Sequence, residues 1–169
     1  MDNWIRLYSG GKFSFLHPKS SQIHIKDIVH CLSLIQRYNA HTKIPYSVLN
    51  HLIICHDYAP EKYKKEALSH DFSEAYLCDI PSPLKILIPQ YKEIELRVEK
   101  VMAKKFNLVF PFPSEIKIID LTVRATEQRD LMRGKDYKYS LYLPYDKKIK
   151  PLSTEKCKEE FMKRFNKLK

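Results

Sequence analysis

The sequence predicts a mostly α-helical single domain carrying one small N-terminal β-hairpin. Three observations lead there. Apolar stripes with helical spacing recur from residue 25 onward, and strand-like alternation is confined to the first sixteen residues. A chain of 169 residues with 44% hydrophobic content is long enough for one well-buried core and short for two independent ones.

The elements follow in order. Trp4 to Leu16 alternates around Ser9-Gly10-Gly11, with Ile5, Leu7, Phe13 and Phe15 flanking a turn that needs positive φ, so residues 1–16 read as a hairpin. Ile25, Ile28, Val29, Leu32 and Ile35 then fall on one helical stripe that ends before Asn39-Ala40-His41. A second helix is expected from Tyr46 to Asp57, with Pro45 as its start and Pro60 as its stop, and a third from Glu61 to Leu77. Pro81 and Pro83 break the chain before a long amphipathic helix from about Pro89 to Phe106, whose Ile94, Val98, Val101 and Met102 should face inward. After Pro111-Phe112-Pro113, Ser114 is placed to cap a helix bearing Ile116, Ile119, Leu121 and Val123 and ending near Met132. Arg133 to Pro151 is polar, aromatic and irregular, as expected of a surface loop. A basic amphipathic helix from Ser153 through Phe161 and Phe165 ends the sequence, which contains no internal repeat.

Charge and composition remove several function classes. The formal net charge is +10, and half of it sits in residues 146–169. The remaining mild excess suits an anionic small molecule as well as nucleic acid. No apolar run approaches the ~18 residues of a membrane span, and Met1-Asp2-Asn3-Trp4 lacks the pattern of a secretory signal, so a cytoplasmic protein is expected. Cys31, Cys55, Cys78 and Cys157 form no C-x-x-C pair, which makes thiolate metal ligation unexpected. Three glycines cannot supply a dinucleotide fingerprint or a P-loop.

The informative stretch is His70 to Lys85, HDFSEAYLCDIPSPLK. On a helix His70 and Glu74 share a face and Asp71 is rotated by only ~100°, so three ionisable side chains converge. Imidazole with carboxylate suits Mn, Co, Fe, Zn or Mg, and further ligands must come from other helices. His51 and Asp120 are the candidates, because both are ionisable groups at positions that should be buried. His56-Asp57 is a competing His-Asp pair, but it stands at a helix end before a turn and lacks a carboxylate one helical turn on. His41 is a further candidate for a ligand or a phosphate contact.

These residues resemble the HD-domain phosphohydrolases, all-helical metal enzymes that hydrolyse phosphate esters. His51, His70-Asp71 and Asp120 match their H…HD…D signature, over roughly residues 1–132. HDFSEAYLCDIPSPLK is similar to a stretch of bacterial 5′-deoxynucleotidases and of small phage-type deoxynucleoside triphosphohydrolases, and Arg37-Tyr38-Asn39-Ala40-His41-Thr42 resembles their phosphate-binding arginine segment. The stretch before His51 departs from many relatives, which carry an acidic residue or Gln there.

The resemblance implies that His51, His70, Asp71 and Asp120 hold one divalent metal and that Glu74 orients or deprotonates the attacking water. Arg37 would grip the phosphate, Lys85 and Lys117 would add positive charge, Asp79 would accept a hydrogen bond from the sugar 3′-hydroxyl, and Tyr38 could stack on a base. The expected activity is hydrolysis of deoxynucleotides in a bacterial or phage-infected cytoplasm. Counting Arg37, Lys43, Lys85 and Lys117, the expectation leans to dATP or another dNTP giving tripolyphosphate, with a dNMP-specific 5′-deoxynucleotidase as the alternative. The expected partners are the deoxynucleotide and further copies of the same chain, not a membrane or a nucleic acid. A rival from another class is a nucleic-acid-binding module with a vestigial HD site, which would have little reason to keep a complete ligand set.

Overall fold

The computed structural model describes residues 3–134 and 141–168, and it shows a mostly helical fold with a small two-stranded antiparallel hairpin at its N-terminal end. Strands β1 (Trp4–Arg6) and β2 (Lys12–Ser14) pair with Ile5 opposite Phe13. Gly10 takes φ +88 in the connecting turn, a conformation only glycine adopts without strain. The hairpin is tied down by Asp27, whose buried carboxylate accepts from the Ser9 amide at 2.7 Å and the Ser9 hydroxyl at 2.9 Å.

Helix α1 (Ile25–Leu34) buries Ile28, Val29 and Leu32 as its stripe requires. Helix α2 (Val48–Tyr58) starts two residues later than expected because Ser47 is extended and caps the helix by accepting from the Asn50 amide, while Tyr46 before it is buried. Val48, Leu49, Leu52 and Cys55 are all fully buried, so α2 is the central helix against which α1, α3, α7 and α8 pack.

The expected helix over residues 61–77 is not continuous. It divides into α3 (Lys64–Ser69), a tight turn at 70–73, and α4 (Glu74–Leu77). The cause is a run of i→i+3 bonds, Phe72 N–H to Ser69, Glu74 to Asp71, Ala75 to Phe72 and Tyr76 to Ser73, which tightens the coil to 3₁₀ geometry. His70 and Asp71 therefore sit on a turn and not on a helix face. Cys78 ends α4 with φ 65, and the short α5 (Ser82–Ile86) leads into α6 (Pro89–Phe106). There Val98 and Met102 are buried, whereas Ile94 and Val101 are only partly so.

Helix α7 (Ser114–Leu131) is capped by position and not by a serine: Pro113 is the N-cap residue, and the Ser114 hydroxyl donates to Glu115. Leu121 is half-buried, with Ile116, Ile119 and Val123 inside. Of the expected loop at 133–151, residues 135–140 lie outside those described. The part from residue 141 is irregular and fastened to the bundle: the Tyr145 ring stacks on Tyr58 at 3.6 Å, and the Ile149 amide donates to Asp130. Helix α8 (Thr154–Lys167) is capped by Ser153 and buries Cys157 and Phe161 against the core. Among the described residues no helix is long and apolar enough to cross a membrane.

Candidate metal centre

Helix α2 carries His51 into the bundle interior, fully buried, and its Nδ1 donates to Glu127 Oε1 at 2.7 Å. That bond leaves Nε2 as the atom able to take a metal ion. Around it stand Asp120 Oδ1 at 3.5 Å, Asp71 Oδ2 at 3.6 Å and Cys55 Sγ at 3.3 Å. From the turn after α3, His70 Nδ1 contacts the Ala67 carbonyl at 2.9 Å. A carbonyl only accepts, so Nδ1 bears the hydrogen and Nε2 presents a lone pair. This Nε2 is buried, has no hydrogen-bond partner, and lies 3.3 Å from Asp71 Oδ1.

Contacts of this length can be compared with those between donors on one ion. Donors ~2.1 Å from one ion stand about 3.0 Å apart at octahedral and about 3.4 Å apart at tetrahedral angles. Three contacts approach those values: His51 to Asp120 at 3.5 Å, His51 to Asp71 Oδ2 at 3.6 Å and His70 to Asp71 Oδ1 at 3.3 Å. In both imidazoles an acceptor on Nδ1 fixes the ring so that Nε2 points to the shared position, the arrangement metal-ligating histidines require. A second set shares the same rings: His51, Cys55 and His70 offer donor atoms all within 4.8 Å of one another, compatible with a metal ion. Burial pushes the Cys55 thiol up, more than His51 lowers it. The sequence reading gave no cysteine a role here, although Cys55 follows His51 by one helical turn.

Glu127 was also missed. Its fully buried carboxylate accepts from His51 Nδ1, from the Tyr46 hydroxyl at 2.8 Å, from the Tyr38 hydroxyl at 2.7 Å and from Arg37 Nε at 3.2 Å. Burial works to raise it, but Arg37 and His51 outweigh burial and hold it at about 2. It lies two turns beyond Asp120 on α7, a spacing that was the available signal.

Beside the metal position opens a cavity of about 430 Å³. Arg37, Tyr38, Asp71, Glu74, Asp79, Lys85, Lys117 and Asp120 line it, so every expected substrate-facing residue shares one space with two of the expected ligands. Arg124 and Gln128, one and two turns after Asp120, line it as well and were not singled out. Glu74 is 7% exposed, and its Oε2 is buried without a partner. Burial, then Asp71 and Asp79, push this carboxyl well above its usual range. Burial also raises Asp79, ahead of the opposing Arg37. Lys85 donates to Glu95 at 2.6 Å and Lys117 to Asp120 at 2.8 Å.

Strained backbone flanks this cavity on two sides. Tyr38, Asn39 and Ala40 are left-handed in succession, with φ 54, 49 and 62, and Cys78 has φ 65. Each such non-glycine residue costs about 1–3 kcal/mol, and strain of this kind collects at functional sites. The competing pair is elsewhere: Asp57 meets His56 Nδ1 at 2.9 Å and is gripped by Arg164 of α8 at 2.7 and 2.8 Å, beside a separate cavity.

No family model matches the sequence. The uncharacterized protein RCAP_rcc00048 of Rhodobacter capsulatus is 31% identical over 124 residues, 68% of this chain and 63% of that protein. The uncharacterized protein YfdR of Escherichia coli K12 is 39% identical over 129 residues, covering 76% of this chain and 72% of YfdR. At that identity and coverage, the chain belongs to the family of YfdR.

Proposed function

We propose that the protein is an HD-type, divalent-metal-dependent phosphohydrolase of deoxynucleotides. The observation that carries this reading is the buried, unpartnered Nε2 of His70 beside Asp71, with His51 Nε2 beside Asp71 and Asp120, next to a cavity that also holds Arg37, Lys85, Lys117 and Arg124. His51, His70, Asp71 and Asp120 would hold the ion, with Cys55 close behind. When bound, a divalent ion offsets phosphate charge and acidifies water.

The protein's own groups supply the rest. Glu74 accepts a proton at its unpartnered Oε2 from the water that attacks phosphorus. The bond from phosphorus to the 5′ oxygen breaks, and the proton held on Glu74 is available to the departing oxygen. A carboxyl held above its usual range is a stronger proton acceptor than an exposed one. Arg37, held by Glu127 and 3.6 Å from Asp71, is positioned to bind the phosphate, and Asp79 to accept from a sugar hydroxyl.

A specific observation favours a monophosphate substrate over the triphosphate to which the lysine count pointed. Lys85 and Lys117 are already in ion pairs, and Lys43 lies on the Asp130 carbonyl outside the cavity. A dianion is better matched to what remains. The nucleic-acid alternative would draw on α8, where Lys156, Lys163 and Arg164 are paired with Glu159, Glu160 and Asp57. The test is a screen of dNMPs and dNTPs with Co²⁺, Mn²⁺, Zn²⁺, Fe²⁺ or Mg²⁺ and analysis of products. Orthophosphate from a dNMP, absent in His70→Ala, is expected, and no phosphate release with any metal would refute the proposal.

A further inference from the structure

A second cavity, of about 640 Å³, shares no residue with the one at the metal centre. It lies where the start of α1 and the ends of α3, α6 and α8 meet. Its floor is apolar: Ile23 is fully buried, and Ile25, Phe106, Phe165 and Leu168 are partly buried and pack on the core. Its edge is cationic, formed by Lys26, Lys65 and Lys105.

These three lysines differ from three lysines that line other cavities. Lys64, Lys85 and Lys117 all meet carboxylates, but among the described residues Lys26, Lys65 and Lys105 have no ion pair, and no carboxylate lines their cavity. Lys26 has only the Tyr8 ring, 5.5 Å away, and it stands in the first turn of α1, where the helix dipole disfavours a cation. An anion with an apolar body would both pair with these lysines and cover the apolar hollow. The volume is within the ~300–1,000 Å³ of small-molecule sites.

We propose that this cavity binds an alkyl anion, an aliphatic chain ending in a carboxylate or a phosphate monoester. The chain would cover Ile25, Phe106 and Phe165, and the head would meet the lysines. His24, Ser69 and Asn107 also line the cavity and leave room for polar contacts beside the lysines.

Isothermal titration of the full chain in EDTA, which keeps the metal centre out of the measurement, tests this. Decanoate and decyl phosphate separate the two head groups, and decyltrimethylammonium reverses the charge on the same chain. One-to-one binding of at least one anion, with no binding of the cation, is expected. Lys65→Glu with Lys105→Glu should weaken it at least about tenfold, equal to ~1.4 kcal/mol. Lys92→Glu with Lys100→Glu, the same charge change outside the cavity, should leave it unaltered, and thermal melting of both double variants confirms that they fold. No binding of either anion, equal binding of the cation, or equal losses in the two double variants would overturn the proposal.

Discussion

His51 Nδ1 donates to Glu127 Oε1 across 2.7 Å, and this one bond links the candidate metal centre to a buried polar network reaching Arg37, Tyr38 and Tyr46. It fixes which nitrogen of His51 faces Asp71 and Asp120. Glu127→Gln should therefore reduce metal affinity about 10- to 100-fold, the usual effect of losing a partner behind a ligating histidine. It should also cost about 3 kcal/mol of stability at neutral pH, because the buried Arg37 would keep only its 3.6 Å contact with Asp71. Metal titration and urea unfolding measure the two effects, and unchanged values in both would remove Glu127 from the account.

The same carboxylate gives a pH dependence with a defined sign. Its folded value of about 2 lies below the ordinary 4.5, so the stability it contributes is present above about pH 4.5 and is lost as pH falls through 2. Glu127→Gln should flatten that part of the acid-unfolding profile. Urea midpoints measured at intervals from pH 5 to pH 2 would show it.

Metal uptake should release protons. Burial and the Arg37 charge oppose a protonated His51, yet Cys55, Glu127 and Asp120 outweigh them and leave the imidazole well above its ordinary range. A metal must displace the proton on Nε2 while that on Nδ1 stays with Glu127, so apparent affinity should rise with pH and fall as the solution is acidified. Calorimetry in buffers of different ionisation enthalpy counts the protons. A pH-independent affinity with no proton release would contradict this arrangement.

The two His-Asp pairs should separate cleanly. His70→Ala and Asp71→Ala should lose metal and hydrolysis together, whereas His56→Ala should spare both. Asp57→Ala should keep the metal but lower stability by about 1 kcal/mol, since the Arg164 clamp that fastens α8 is partly exposed. Loss of metal in His56→Ala, and not in His70→Ala, would place the centre elsewhere.

How much of this could be read from sequence follows from which interactions are local. The stripes of α1, α6 and α8 and the hairpin alternation are local patterns, and they appear where expected. His51 and Asp120 were legible because an ionisable group among apolar neighbours is conspicuous. Glu127 was not, because a helical glutamate is ordinarily solvated and its partners come from 76 to 90 residues away. The break at residues 70–73 escaped for a different reason: i→i+3 bonding preserves the apolar periodicity of a helix while changing where the side chains point.

On the proposed reading, substrate choice rests on the cavity residues Glu74, Asp79, Lys85 and Lys117. Glu74→Gln should keep the metal and lose about 100- to 10,000-fold in kcat, since it is assigned to proton transfer and not to ligation. If Asp79 accepts from the 3′-hydroxyl, a 2′,3′-dideoxynucleotide leaves a half-buried carboxylate without its partner, at about 1–3 kcal/mol, and Asp79→Ala should narrow the gap between the two substrates. Lys85 and Lys117 then separate the monophosphate from the triphosphate. Each is already neutralised, by Glu95 and Asp120, so Lys85→Ala and Lys117→Ala should change kcat/KM for dAMP and dATP by similar factors. A loss at least tenfold greater for dATP, accompanied by tripolyphosphate among the wild-type products, would mean that these lysines leave their carboxylates to meet the β- and γ-phosphates, and would assign the cavity to a triphosphate.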